Sequence, residues 1–269
     1  KRKHKYARRK NKDDTEIALG LLQRAIELDV KFILAKNLKT FINYLTTSDY
    51  ENSLKIFLEN LNISEKADDK RGMRSSLNCI AVIYGKDKDD SDKAIEYFTR
   101  ALEISKEIDD KCGIGKGFCA LGGEYLDKGN FSKAWEYFES SRKIFDELGD
   151  KTGLDFVLSN FGNAYSQLGD YDKAIDYFNR SINIKEEYGD KYGIGYFLCN
   201  IGILYGNIGE YDKAIDLLTR SLKIHEEIED KYGIGYSLGR IGIIYFYKGD
   251  FNSSKEYLKK SLELQNKIQ

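Results

Sequence analysis

The chain has 269 residues and a mass of 30.9 kDa, and 41% of its side chains are hydrophobic. Its 43 basic and 44 acidic side chains almost cancel, so the overall charge argues against nucleic acid as the main partner. The sequence holds no proline and two histidines, which excludes proline-rich linkers, favours uninterrupted helices and leaves little for acid–base or metal chemistry.

The first twelve residues, KRKHKYARRKNK, carry eight Lys or Arg and no acid. Without them, the chain holds 35 basic against 44 acidic side chains, a net charge of −9. We interpret 1–12 as a basic leader or linker. Two alternatives are a contact with nucleic acid or an anionic membrane surface and a salt-sensitive contact with the acidic remainder or an attached domain. Because residue 1 is a lysine inside a charged stretch, we expect the chain to be a piece of a longer protein.

Residues 13–69 are predicted to form degenerate N-terminal helices. Residues 14–29 have the spacing of a lone amphipathic helix, and 31–66 that of one divergent helix pair. The apolar side chains of this pair are Phe32, Leu38, Phe41 and Tyr44, followed by Tyr50, Leu54, Phe57 and Leu61.

Five units of about 40 residues are predicted over 70–269. The dipeptide Asp-Lys marks their starts at Asp69, Asp110, Asp150, Asp190 and Asp230, at intervals of 41, 40, 40 and 40 residues. Within a unit, apolar or small side chains recur three and four residues apart, and a Gly-Asp turn such as Gly169-Asp170 separates two such runs. Each unit therefore predicts helix, turn, helix, turn, with antiparallel neighbours and about thirteen helices in all.

The unit resembles the tetratricopeptide repeat, whose pattern is W-x2-L-G-x2-Y followed by A-x3-F. The matching residues in one unit are Leu158, Phe161, Gly162, Tyr165, Ala174 and Phe178. The 40-residue period and the missing terminal proline differ from the 34-residue repeat and resemble the extended class of Pins-like scaffolds and prokaryotic signalling proteins. The resemblance implies an all-α fold, a right-handed α-solenoid of antiparallel helix pairs.

Motifs that would indicate an enzyme are weak. Glycine clusters such as Gly113-Ile114-Gly115 recur with the repeat and start helices, whereas a phosphate loop follows a strand. Carboxylate pairs such as Glu186 and Glu187 fall near helix ends on the solvated face. No Ser or Cys nucleophile recurs with His225 in a recognisable motif, and we interpret this residue as a rim or partly packed histidine. We therefore predict that the chain is not an enzyme.

The cysteines and the hydropathy indicate a cytoplasmic protein. Cys79, Cys112, Cys119 and Cys199 form no CxxC pair, and we expect all four to be reduced, helix-borne small residues. No apolar run approaches the roughly 18 residues that span a bilayer, and no signal-peptide pattern opens the chain. We predict no metal, no cofactor and no membrane span.

The resemblance implies that the first helix of each unit lines a concave binding face. Positions counted from the recurring tyrosine, with one nearby asparagine, are Lys116, Phe156, Asn160, Asn163, Tyr196, Asn200, Asn207, Tyr236 and Arg240. Amide side chains both donate and accept hydrogen bonds, and aromatic side chains provide contact area at low entropic cost. We predict a non-enzymatic protein-interaction scaffold that binds an extended peptide or a partner helix.

Two other interpretations stay open. The tyrosines of the candidate set, Tyr196 and Tyr236, would in the simpler case only pack on neighbouring units. Alternatively, the chain is the sensor domain of a larger signalling protein whose catalytic domain lies outside it.

Overall fold

A computed structural model describes residues 15–27, 29 and 32–266, and all regular structure in these ranges is helical, without a strand. The thirteen helices are α1 (15–27), α2 (Ile33–Thr47), α3 (Tyr50–Lys66), α4 (Lys70–Lys86), α5 (Ser91–Glu107), α6 (Lys111–Asp127), α7 (Phe131–Leu148), α8 (Lys151–Leu168), α9 (Tyr171–Tyr188), α10 (Lys191–Asn207), α11 (Tyr211–Glu227), α12 (Lys231–Lys248) and α13 (Phe251–Gln265). The predicted all-α solenoid fold is confirmed. The predicted basic leader 1–12 lies outside the described residues, and the division into 13–69 and 70–269 stays a prediction.

The turns between helices use the predicted chemistry. Gly149 and Gly189 adopt left-handed backbone angles, with φ of 63° and 68°, at the ends of α7 and α9, a conformation that glycine adopts without steric cost. Asp170 then begins α9 by accepting a hydrogen bond from the Lys173 amide at 3.3 Å. These tight turns reverse the chain after each helix, so consecutive helices pack as antiparallel pairs.

The helices form two compact units, Lys10–Val157 and Leu158–Gln269, called here the N-terminal and C-terminal units. In the N-terminal unit, Phe57, Leu77 and Ile80 lie in a fully buried cluster that α2, α3, α4 and α5 share. In the C-terminal unit, Leu218 and Ile241 pack within a second buried cluster built by α10, α11 and α12. Each cluster draws on more than one helix pair, so no pair buries its apolar face alone.

Buried serines connect the two helices of a pair. The Ser141 hydroxyl on α7 donates to the Gly115 carbonyl on α6 at 2.7 Å. In the C-terminal unit, Ser221 donates to the Gly195 carbonyl and Ser261 to the Gly235 carbonyl, both at 2.7 Å. Because donor and acceptor are 26 residues apart each time, these bonds set the same register between first and second helix.

The packing face of α2 is polar at its centre. Asn37 is buried, donates to the Ser76 hydroxyl at 2.8 Å and accepts from the Asn60 amide at 2.9 Å. Leu38, the next residue, is 51% exposed. The asparagine network therefore holds the inner face of this divergent pair, and the leucine predicted to contribute to its apolar face lies largely in solvent.

Two predictions from composition can be compared with the coordinates. All four cysteines are free thiols on helices, as predicted. Among the described residues, no helix is both long and apolar enough to cross a bilayer.

Candidate functional site

The nine predicted binding residues fall in both units. Lys116 on α6 and Phe156 on α8 belong to the N-terminal unit and are exposed. The other seven lie on α8, α10 and α12 of the C-terminal unit: Asn160, Asn163, Tyr196, Asn200, Asn207, Tyr236 and Arg240.

Tyr196 and Tyr236 line the same cleft, which has a volume of about 650 Å³ and lies within the C-terminal unit. We call it the tyrosine cleft. Its lining comprises Tyr192, Tyr196 and Cys199 from α10, Lys231, Tyr232, Gly233, Gly235 and Tyr236 from α12, and His225, Asp230 and Gln265. The other predicted residues of this unit lie outside the lining.

The walls of the tyrosine cleft come from a repeated hexapeptide, Lys-Tyr-Gly-Ile-Gly-Tyr, that opens both α10 and α12. Two tyrosines four residues apart share one helix face. The exposed fractions of the four rings are 61% for Tyr192, 46% for Tyr196, 75% for Tyr232 and 45% for Tyr236. All four therefore keep surface available to a ligand.

The floor of the cleft contains His225, which is only 4% exposed. The prediction of a rim or partly packed histidine was therefore wrong. The reason is the pair of glycines beside it: a Cβ added to Gly195 or Gly233 would lie 2.9 Å or 2.2 Å from the imidazole. The missing side chains admit the ring between α10 and α12, an arrangement that residue spacing along one helix does not reveal.

Burial controls the protonation of the two reactive side chains in the floor. Burial lowers the pKa of His225 below its ordinary value, although the nearby Asp230 carboxylate acts in the opposite direction. Burial also raises the pKa of the Cys199 thiol to about 11. At neutral pH the floor therefore presents a neutral imidazole and a neutral thiol.

Asp230 behaves differently from the equivalent aspartates of earlier repeats. Asp110, Asp150 and Asp190 each accept a hydrogen bond from an amide in the first turn of the following helix, at 2.9, 3.0 and 3.0 Å. The Asp230 side chain makes no such bond. One of its oxygens instead lies 3.0 Å from Nδ1 of His225, at ion-pair distance but without hydrogen-bond alignment.

Beside the cleft, Arg240 holds Tyr236 in place. Its Nη2 donates to the Tyr236 hydroxyl at 3.0 Å, and its guanidinium carbon lies 4.7 Å from the centre of the ring. A cation over an aromatic face is attracted by the ring quadrupole. Arg240, predicted as a contact residue, thus orders one wall of the cleft.

A sequence model described as Tetratricopeptide repeat matches residues 118–187 and 195–267, and a second model of that description matches 76–108. The first alone covers more than half of the chain. The chain belongs to the tetratricopeptide repeat family. The family resemblance seen in the sequence is therefore confirmed.

Solved structures share this tetratricopeptide fold at low sequence identity. BtubC (BKLC) from P. vanneervenii has a TM-score of 0.71 and 17% identity, with 82% of this chain and 92% of that chain covered. A Rap protein complexed with competence and sporulation factor has a TM-score of 0.69 and 15% identity, covering 93% and 85%. A signal transduction ATPase with numerous domains from Pyrococcus horikoshii, which contains a tetratricopeptide repeat sensor, has a TM-score of 0.66 and 21% identity, covering 93% and 41%. No curated protein matches the chain at a significant level.

The candidate set omitted several residues of this tetratricopeptide cleft, namely Tyr192, Cys199, His225, Asp230, Lys231, Tyr232, Gly233, Gly235 and Gln265. A signal for two of them was present in the sequence. Tyr192 and Tyr232 hold the repeat position that Cys112 and Thr152 hold in earlier units, so tyrosine pairs occur in two consecutive repeats. No comparable signal marks His225 or Asp230, because their roles depend on packing between helices.

Proposed function

We propose that this tetratricopeptide chain is a non-enzymatic interaction module that binds an extended peptide or a partner helix along its first helices. The observation that carries the proposal is that Tyr196 and Tyr236, assigned from the family resemblance and the repeat position, line one cleft with exposed aromatic walls. Repeats of this family generally bind protein partners. We assign the tyrosine cleft as the anchor site for one side chain of the ligand.

Aromatic residues around a concave cleft are typical of the positions that contribute most to a protein interface. Further along α10, outside the cleft lining, the amide side chain of Asn200 is half-buried and that of Asn207 is exposed. Asn160 and Asn163 lie on α8 of the same unit. Such amides suit the backbone of an extended peptide, and helices held by packing pay little ordering entropy on binding.

The chemistry of the cleft supports binding rather than turnover. Cys199 is its only thiol, and with a pKa of about 11 it is protonated at neutral pH. His225 is buried against two glycines and faces Asp230. In this proposal neither residue acts as a nucleophile or a base, and the interaction requires neither metal nor cofactor. We further propose a cytoplasmic location, since it suits four free thiols.

The experiment is selection of random peptides on the immobilised chain, followed by affinity measurement of the selected peptides. Replacing both Tyr196 and Tyr236 by alanine is expected to weaken binding at least tenfold, because truncation of an anchoring aromatic costs about 2 kcal/mol. The matched control is Tyr188→Ala, which removes a tyrosine that is 60% exposed and lies outside the cleft. Circular dichroism verifies that the variants are folded. Equal affinity for wild type and the double variant would contradict the proposal.

The alternative proposal is a sensor domain that regulates an attached catalytic domain. Its support is the likeness of 93% of this chain to a part of the numerous-domain ATPase, which contains a tetratricopeptide repeat sensor. The test places the full-length gene product, with and without a selected peptide, in an assay of the attached domain. Under this alternative, the peptide changes that activity in wild type and not in the Tyr196→Ala, Tyr236→Ala double variant.

A further inference from the structure

The tyrosine cleft contains a carboxylate that caps no helix, next to four aromatic walls. We propose that this cleft accepts a basic side chain of a partner peptide, a guanidinium or an ammonium group, with Asp230 as its counter-ion. The inference rests on the proposed function, because it specifies the chemistry of the ligand side chain that binds in the anchor site.

The first support is the state of the carboxylate. In the preceding repeat, Asp190 accepts from the Gly193 amide and also pairs with the Lys185 ammonium, both at 3.0 Å. Asp230 has neither interaction: its side chain makes no cap bond, and a histidine replaces the lysine. Its side chain is only 18% exposed. A carboxylate with so little access to water is stabilised by a cation that reaches it.

His225 does not supply that cation at neutral pH. It faces Asp230 from the end of α11, the Tyr192 ring from α10 at a centroid distance of 6.1 Å, and the first turn of α12. Burial keeps the imidazole neutral by lowering its pKa. A neutral imidazole therefore leaves Asp230 without a cationic partner in His225.

The second support is the tyrosine lining itself. Tyrosine rings of this chain already take cations elsewhere: Lys173 lies 5.0 Å from the centre of the Tyr165 ring, and Arg180 lies 5.1 Å from that of Tyr177. Cation–π attraction increases when the cation leaves water. Tyr192 and Tyr232 extend the aromatic lining and are its two most exposed rings.

One cation of the chain itself, the Lys231 ammonium group, is also present in the tyrosine cleft. Lys231 also lines the cleft but forms no ion pair with Asp230 among the described residues. Its equivalent in the preceding repeat, Lys191, is held by Glu227 at 2.9 Å. Lys231 would repel a basic side chain in the cleft and attract an acidic one. Removing its charge should therefore tighten the binding of a basic ligand and weaken that of an acidic ligand.

The experiment uses N-acetyl-arginine amide as probe and N-acetyl-citrulline amide as its uncharged isostere. Binding is followed by NMR through the backbone amides of Gly233 and Gly235, which line the cleft. We expect the arginine probe to shift both amides with a dissociation constant on the order of 1–10 mM, and the citrulline probe to bind at least fivefold more weakly. Asp230→Asn is expected to weaken the arginine probe about tenfold, and Lys231→Gln to tighten it about threefold.

Control variants keep these outcomes interpretable. Asp110→Asn changes the equivalent aspartate of a repeat in the N-terminal unit and should leave binding unchanged. Tyr232→Ala removes a ring that is 75% exposed, so it tests the aromatic wall in a variant expected to fold. It should weaken the arginine probe about threefold.

Three results would overturn the inference. Equal binding of arginine and citrulline probes would show that charge is irrelevant. Tighter binding in Asp230→Asn together with weaker binding in Lys231→Gln would show an anion site. No shift up to about 50 mM probe would show that no basic group binds there. Each result leaves the proposed function testable, since selected peptides would still depend on Tyr196 and Tyr236 if they bind through another kind of side chain.

Discussion

Two junctions between consecutive repeats are built from the same five repeat positions, and one of the five carries a different residue. The Phe145 junction, in the N-terminal unit, comprises Gly115, Ser141, Phe145, Asp150 and Gly153. The His225 junction, in the C-terminal unit, comprises Gly195, Ser221, His225, Asp230 and Gly233. In both, the serine donates to the carbonyl of the first glycine at 2.7 Å, and an aromatic side chain lies between the two glycines.

The side chain between the glycines decides what each junction presents. Phe145 is fully buried, and its ring fills the space over Gly115 and Gly153, while Asp150 caps the next helix. At the equivalent place the smaller imidazole of His225 lines a cleft, and the Asp230 side chain makes no hydrogen bond to the first turn of α12. The lesson is that the repeat supplies a constant frame, and variable positions, Phe145 or His225 among them, distinguish a closed junction from one that borders a cleft.

The largest expected effect on stability comes from removing the Phe145 ring. Phe145→Ala should lower the free energy of unfolding by about 3–5 kcal/mol, because it leaves a cavity between packed helices. His225→Ala should cost less than half of that, because one side of the imidazole already borders the cleft. Urea unfolding followed by circular dichroism measures both. A larger loss at His225 than at Phe145 would refute the comparison.

Adding a methyl group at the flanking glycines sharpens the comparison of the two junctions. A Cβ on Gly153 would lie 2.2 Å from the Phe145 ring, and one on Gly233 would lie 2.2 Å from the His225 ring. We expect Gly153→Ala to cost about 2–3 kcal/mol and Gly233→Ala about 1–2 kcal/mol, since the imidazole has the cleft to move into. Gly123→Ala is the control: it meets no atom within 4 Å and should stabilise its helix by about 0.5–1 kcal/mol. Thermal unfolding of the three variants gives the order.

The serine bonds test the constant part of the frame. Ser141→Ala and Ser221→Ala should each cost about 1 kcal/mol, because each leaves a buried carbonyl without its side-chain donor. Ser140→Ala, which removes a bond to the Glu136 carbonyl of its own helix, should change stability by less than about 0.5 kcal/mol. Hydrogen exchange of the surrounding amides locates the loss. Very different losses at Ser141 and Ser221 would mean that the two junctions do not share one frame.

The smallest effect is on the pH dependence of stability. The pKa of His225 is lowered in the folded chain from its ordinary 6.5 by burial, so the unfolded state binds the proton more readily. The contribution of neutral His225 to the free energy of unfolding should therefore be fully present above about pH 6.5, and it should be lost as the pH falls through the folded pKa. His225→Phe, which recreates the Phe145 arrangement, should remove this slope. Denaturation at about pH 7.5 and 5.5 compares the two, and an identical slope would contradict the assignment.

Much of the fold was predictable because its causes are local. The 40-residue period, the Gly-Asp turns and the three- and four-residue apolar spacing predicted the helix pairs and their number. The site was predictable only in part. Tyr196 and Tyr236 followed from their repeat positions, whereas the burial of His225 required the distance between α10 and α12, which depends on glycines in two different helices.

The sequence by itself determined the helices, their turns and the tetratricopeptide family, because backbone conformation and helix amphipathicity depend on residues only a few positions apart. Tertiary structure decided which junction is closed and which is open, which aspartate caps a helix and which faces a cleft. Those outcomes depend on the volume and charge that side chains from three helices bring to one place, and Phe145 and His225 hold the same repeat position with opposite results.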